Sequence, residues 1–325
     1  MNLIPPEGQI PAAFFGTLHA MNATTQFDIA SSAKARPVAR VVDSLSTVEG
    51  GGFPVRRPFP VQGFSHFDPF LLIDHLGPVE WKPGTALGAP DHPHRGFETV
   101  TYVLAGENEH RDSFGNVDVL KPGDVQWMTA GGGVIHAEMP TPEFHRNGGI
   151  QQGFQIWVNL PSVDKMMTPR YQTLRASDIP LAKSADGLVQ ARVIAGNALG
   201  VSARIDTRVP IQMLHYTIAP GGSLTQTVPA EQSGLIYVFK GTAQVANDKR
   251  TIKEGQAALL GAGTEVTIGV AADATEPAEI LLLSGKPLNE PVARYGPFVM
   301  NTREQIEEAF RDYQSGRFGV IPQRT

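Results

Sequence analysis

Two imidazoles stand two residues apart in the segment Asp91-His92-Pro93-His94-Arg95-Gly96-Phe97-Glu98. In extended backbone successive side chains alternate between faces, so His92 and His94 point the same way, roughly 6.6 Å apart along the chain. Two imidazoles in that relation can share one metal ion. Farther on, Gly133-Val134-Ile135-His136-Ala137-Glu138 repeats the spacing with an imidazole and a carboxylate. Set on facing strands, the two dyads make a site of three histidines and one carboxylate. A nitrogen-rich set with a single carboxylate suits Fe(II), Mn, Co, Ni, Cu or Zn rather than Mg or Ca. The chain contains no cysteine, which excludes thiolate metal sites, iron–sulfur clusters, disulfides and cysteine nucleophiles.

Such dyads need short, well-registered strands, and the chain supplies them. Strand signals recur at 99–104, 123–128, 154–158, 213–218, 235–239 and 279–283, nearly all punctuated by Gly, Pro, Asn or Asp. Glycine (34) and proline (26) are frequent among the 325 residues, as a protein of many turns requires. This rhythm belongs to a sandwich or barrel, not to alternating strands and helices. The rhythm also repeats. VTYVLAG from Val100 resembles LIYVFKG from Leu235, and KPGDVQWMTAG from Lys121 resembles KEGQAALLGAG from Lys253, in the same order. Two copies of one β domain follow. Aligning Tyr102 with Tyr237 sets Thr227 and Pro229 opposite His92 and His94. Aligning Gly131 with Gly263 sets Ile268 and Val270 opposite His136 and Glu138. The second copy is therefore expected to hold no metal.

The expected architecture is all-β: a partly disordered extension over 1–36, a metal-binding barrel over 37–165, a metal-free barrel over 166–300, and a helix and tail over 301–325. Thr302 with Gln305 three residues on predicts a capping box, and Ile306, Ala309, Phe310 and Tyr313 form one apolar stripe of a helix ending near Gly316. Hydrophobic residues make up 41% and charged residues 18%, below the charged share of about 25% usual in soluble domains, so the chain folds rather than solvates. Lys and Arg number 27 against 32 Asp and Glu, and no basic run could neutralise a series of phosphates, which argues against nucleic acid as a direct ligand. The longest apolar runs fall far short of the roughly 20 residues of a membrane span. The N-terminal stretch has prolines and no basic region where a signal peptide needs an apolar helix, so the expected location is cytoplasmic.

The motifs together resemble the pirin family of the cupin superfamily. The matching stretches are FDPFLLIDHLGP from Phe67, DHPHRGFETVTYVLAG from Asp91, HRDSFGN from His110, KPGDVQWMTAGGGVIHAEMP from Lys121, IWVNLP from Ile156 and GPFVMNT from Gly296. The resemblance implies two tandem cupin, jelly-roll-like barrels with a short C-terminal helix. It also implies one metal, usually iron as Fe(II), in the N-terminal barrel on His92, His94, His136 and Glu138. A general cupin motif would instead take its carboxylate from Glu98, four residues after His94, so Glu98 is kept as a spare ligand or a residue behind the ligands. A pocket around the metal should carry apolar and amide side chains that orient a planar ligand. Phe97, Gln126, Trp127, Met128, Phe154 and Trp157 are the candidates, and strand parity lets about half face inward. Asp91 and Arg95 have the wrong parity for the site. His110, Arg111, Asp112 and Ser113 are expected in a hairpin loop at the barrel mouth. His19, His66, His75, His145 and His215 have no partner spacing and read as structural. The resemblance further implies a quercetin 2,3-dioxygenase-type reaction, in which a flavonol or similar enol is opened with dioxygen and Glu138 serves as ligand and base. The alternative it implies is an iron-containing, redox-responsive regulator that docks on another protein.

Overall fold

Short strands broken by glycine and proline turns close here into two barrels, each built of a seven-stranded and a four-stranded antiparallel sheet. The computed structural model of the chain describes residues 34–323. The extension expected over 1–36 therefore lies outside the described residues except for its last three. Of these, Arg36 is buried against the second barrel, where its guanidinium donates to the backbone carbonyls of Val228, Gly261 and Gln232.

The large sheet of the first barrel runs Arg170–Leu174, Val125–Thr129, Phe97–Ala105, Gly149–Asn159, Phe70–Trp81, Phe53–Phe59, Leu45–Glu49. Its small sheet runs Ala89–His94, Val134–Pro140, Asn108–Asp112, Val117–Leu120. The second barrel repeats both orders. Its large sheet runs Val38–Asp43, Gln256–Leu260, Ser233–Lys240, Ala278–Gly285, Ile211–Ile218, Val189–Ala195, Leu181–Lys183, and its small sheet begins with Ser223–Thr227 and Glu265–Gly269. Phe97–Ala105 and Ser233–Lys240 thus hold the same place in their sheets, as the sequence repeat requires. Chain order and space part company at two strands. Val38–Asp43 precedes the first barrel but pairs with Gln256–Leu260 of the second, and Arg170–Leu174 follows the first barrel's last long strand yet pairs with Val125–Thr129 of the first. The barrels trade edge strands.

Between the two large sheets lies one apolar core, with Val100, Tyr102, Trp127, Phe154 and Ile156 from the first barrel against Leu235, Tyr237, Phe239 and Leu281 from the second. Its polar groups are paired across the barrels in mirror fashion. His215 gives Nε2–H to Glu279 Oε2 at 2.7 Å, so its Nδ1 accepts from the Tyr102 hydroxyl at 2.7 Å. Reciprocally, the Gln152 amide donates to His75 Nε2 at 2.9 Å, which leaves Nδ1–H of His75 facing the Tyr237 hydroxyl at 3.3 Å. Each of these two histidines, partnerless by spacing, gains a tyrosine partner from the other barrel through the fold.

His75 is fully buried, and burial first, then the charge of Arg56, lowers its pKa to about 3. The unfolded chain takes up that proton near pH 6.5 and the folded chain only near 3, so the stabilisation is complete above 6.5 and drains as pH falls toward 3. The loss amounts to about 4 to 5 kcal/mol at the acid end. His75→Gln, which keeps an amide for Tyr237, should flatten the fall of melting temperature between pH 6.5 and 4. Parallel curves for the two proteins would refute this assignment.

The C-terminal helix, Arg303–Gln314, carries the expected capping box of Thr302 and Gln305 and buries Ile306, Ala309 and Phe310 against Phe298 and Phe318. A second, unexpected helix spans Pro142–Asn147. Its single turn buries only Phe144, so it has no apolar stripe to read. Among the described residues, no helix is long and apolar enough to cross a membrane.

Candidate metal centre

Ala89–His94 pairs antiparallel with Val134–Pro140, placing His92 directly opposite His136 and His94 opposite Val134. The dyads therefore sit on neighbouring strands of one sheet rather than on facing strands, which brings their imidazoles closer than facing sheets would. Ring centroids lie 4.3 Å apart for His92 and His136, 4.8 Å for His92 and His94, and 4.9 Å for His94 and His136. One nitrogen from each ring falls within 4.8 Å of the others. His136 is fully buried and His94 nearly so, while His92 is half-buried.

The hydrogen bonds show what this cluster lacks. Neither nitrogen of His136 has a partner, an arrangement that costs free energy in a buried polar ring unless a cation takes up the lone pair. His92 Nδ1 lies 2.7 Å from the Pro90 carbonyl and His94 Nδ1 lies 3.3 Å from the Pro297 carbonyl. A carbonyl only accepts, so each Nδ1 carries a proton, and in the neutral ring Nε2 keeps the lone pair that a metal can take. Burial, and next the neighbouring His92, pushes the pKa of both His94 and His136 well below 6.5. Both are neutral at pH 7, ready for a cation without first losing a proton. The residues present fit a divalent transition metal.

The Glu138 side chain is tied to the large sheet. The ladder breaks register between His136 and Glu138, and the carboxylate is gripped at both oxygens: Thr101 Oγ1 donates to Oε1 at 2.6 Å and Gln155 Nε2 donates to Oε2 at 2.8 Å. Glu98 goes elsewhere. It accepts from Thr129 Oγ1 at 2.6 Å and lies 3.9 Å from Arg170, with the opposite parity to Thr101. The expectation that Glu98 shares the face of His94 assumes one continuous strand. The chain instead turns at Gly96, with φ of +86°, and Glu98 belongs to the other sheet.

Parity sorts the remaining candidates. Trp157 lies 5.3 Å from His94 and 4.4 Å from Phe97, ring to ring, so both aromatics flank the histidines. Gln126 donates to His110 Nδ1 at 3.0 Å, and Met128 packs with Val134 and Tyr171. Trp127 and Phe154 face the other way, into the core between the barrels. Asp91 is exposed, whereas Arg95 is buried on the far side of its strand. Residues 110–112 do not form the loop that the sequence leads one to expect: Asn108–Asp112 is a strand, with His110 and Asp112 buried and the His110 ring 5.4 Å from His136. Its signal was available, since His110-x-Asp112 has the same spacing as the two dyads. Thr101 and Gln155, which hold Glu138, were missed. They share parity with Phe97 and Trp157 and could have been found from those.

Comparison with known proteins agrees with this geometry. The chain matches the pirin family over residues 52–158 and the pirin C-terminal cupin domain over residues 213–319. It is 40% identical to a pirin-like protein of Solanum lycopersicum over 292 residues, 89% of this chain and 96% of that protein. It is also 40% identical to pirin of Homo sapiens, covering 90% of this chain and 97% of that one. The crystal structure of quercetin 2,3-dioxygenase from Acinetobacter baumannii matches with a TM-score of 0.82 and 38% identity, over 88% of this chain and 99% of that one. The two barrels are tandem cupin domains.

Proposed function

The chain belongs to the pirin family, and on that premise we propose that its first barrel binds one divalent transition metal, Fe(II) foremost, and opens a flavonol such as quercetin with dioxygen. The observation that carries the reading is His136, a buried imidazole with both nitrogens unpartnered between two histidines that present Nε2. Glu138 is proposed as the fourth ligand and as the base.

His92, His94 and His136 would hold the metal, which when bound would supply Lewis acidity toward the flavonol 3-hydroxyl. The protein supplies the rest. Glu138 accepts the hydroxyl proton at a carboxylate oxygen, and Thr101 and Gln155 keep that carboxylate aimed before substrate arrives. Trp157 and Phe97 give a planar ring an apolar wall beside His94. The Arg294 guanidinium covers Trp157 at 4.6 Å and closes that side.

The test is aerobic quercetin consumption by protein of measured metal content, followed as loss of the flavonol's visible absorbance with assay of released carbon monoxide. Decay proportional to bound metal is expected. Stoichiometric iron with persistent quercetin would overturn the dioxygenase reading and leave the redox-responsive regulator, to be sought by comparing partners captured by oxidised and reduced protein.

A further inference from the structure

The C-terminal segment reaches across the molecule to the strand that bears His92 and His94. The Pro297 carbonyl lies on His94 Nδ1. Val299 N donates to the Arg95 carbonyl at 3.1 Å, and the Val299 carbonyl with that of Gly96 receives the buried Lys165 ammonium at 3.1 and 2.8 Å. No side chain fits at Gly96, because a Cβ there would overlap the Val299 carbonyl.

Arg95 is the centre of this contact. It follows His94, points away from the metal cluster and is 3% exposed, a position where an arginine must be fully paired to be tolerated. Its Nε donates to the Gly132 carbonyl at 2.7 Å, in the turn that leads into Val134–Pro140 and so to His136. Its Nη2 donates to Asp312 Oδ2 at 2.9 Å, on the C-terminal helix, and its guanidinium lies 4.6 Å over the Phe318 ring. One planar group thus binds the strand of His94, the approach to His136 and the helix.

We propose that Asp312, acting through Arg95, is a positioning residue of the metal centre: the helix carboxylate fixes the guanidinium that sets His94 and His136 at their mutual distance. This rests on the metal reading above. Groups behind metal ligands commonly alter metal affinity by about 10- to 100-fold when changed. Asp312→Asn keeps the side chain's shape and removes its charge. Arg95→Lys keeps the charge and loses the fork that binds two partners at once. Glu307→Gln, on the same helix and paired with Arg303, is the control.

Co(II) is the probe, with affinity read by chelator competition and ligand geometry by the cobalt d–d absorption bands, which a change in global stability alone does not move. Asp312→Asn should bind Co(II) at least about 10-fold more weakly with displaced bands, and Glu307→Gln should match the parent. If Asp312→Asn does not fold, Arg95→Lys decides by the same two readouts. A parent that binds Co(II) and a folded Asp312→Asn within twofold of it, bands unmoved, would overturn the proposal. A parent that binds no Co(II) would overturn the metal reading itself, and this inference with it.

Discussion

Replacing His94 by alanine is expected to remove bound metal and flavonol turnover together. The cluster offers three imidazole nitrogens within 4.8 Å, and His94 is the ring whose tautomer is set by the C-terminal segment. Apparent binding energies of about 10–16 kcal/mol for four-ligand structural zinc sites imply about 2.5–4 kcal/mol per ligand, so affinity should fall roughly 100- to 1,000-fold. Metal analysis after dialysis and the quercetin assay report the two losses separately. A His94→Ala protein that consumes quercetin at the parental rate while free of metal would end the mechanism. The apoprotein offers a second check. His136 pays for burial of two unpartnered nitrogens, each worth about 1–3 kcal/mol. His136→Leu should therefore raise the melting temperature of metal-free protein while abolishing the rise that added metal gives the parent. A metal-free melting temperature below the parent's would show that the orphan nitrogens are not the strain this reading takes them to be.

Glu138→Gln separates binding from proton transfer. The three imidazoles are untouched, and glutamine fills the same space: its carbonyl still accepts from Thr101, and a turned Gln155 amide accepts from the new NH2. Metal should stay on the three imidazoles, held more weakly for want of the carboxylate, so the assay is run with metal in excess. Turnover should fall about 10²- to 10⁴-fold, the usual worth of a positioned base, because an amide cannot take the hydroxyl proton. Thr101→Val, which removes one of the two bonds holding the carboxylate, should lower turnover less and leave the metal in place. Metal content by elemental analysis beside initial rates decides the matter. A loss of less than about threefold in Glu138→Gln with full metal would take Glu138 out of the proton's path.

The histidines were readable because a strand's period of two is rigid: two residues always return to one face, and three residues with one chemistry at that spacing are hard to place otherwise. The repeat was readable for the same reason, since Tyr102 and Tyr237 hold equivalent places in equivalent strands. What escaped was anything decided by neighbours distant along the chain. Glu98 was set beside His94 by parity alone, and one turn at Gly96 moved it to another sheet. His110 was assigned to a loop because Gly115 and Asn116 follow it, yet the strand persists to Asp112 before the turn begins. Trp127 and Phe154 have the composition of pocket residues, and only the presence of a second barrel explains why so much aromatic surface turns away from the metal. The pairing of His75 with Tyr237 and of His215 with Tyr102 joins residues 162 and 113 positions apart, beyond any local signal.

The traded edge strands also order events during synthesis. Asp43 meets Gln256 only after 213 further residues have been made, which at 5–20 residues per second leaves Val38–Asp43 waiting for roughly 10–40 s. For that interval the nascent chain exposes a strand with an open hydrogen-bonding edge, the kind of surface that recruits other chains. The first barrel closes its own large sheet much sooner, when Arg170–Leu174 leaves the ribosome. The strands that bear the three histidines can thus pair before the second barrel exists, whereas Pro297 and Asp312, which brace His94 and Arg95, arrive only after it, and the first of the described strands is among the last to find its place.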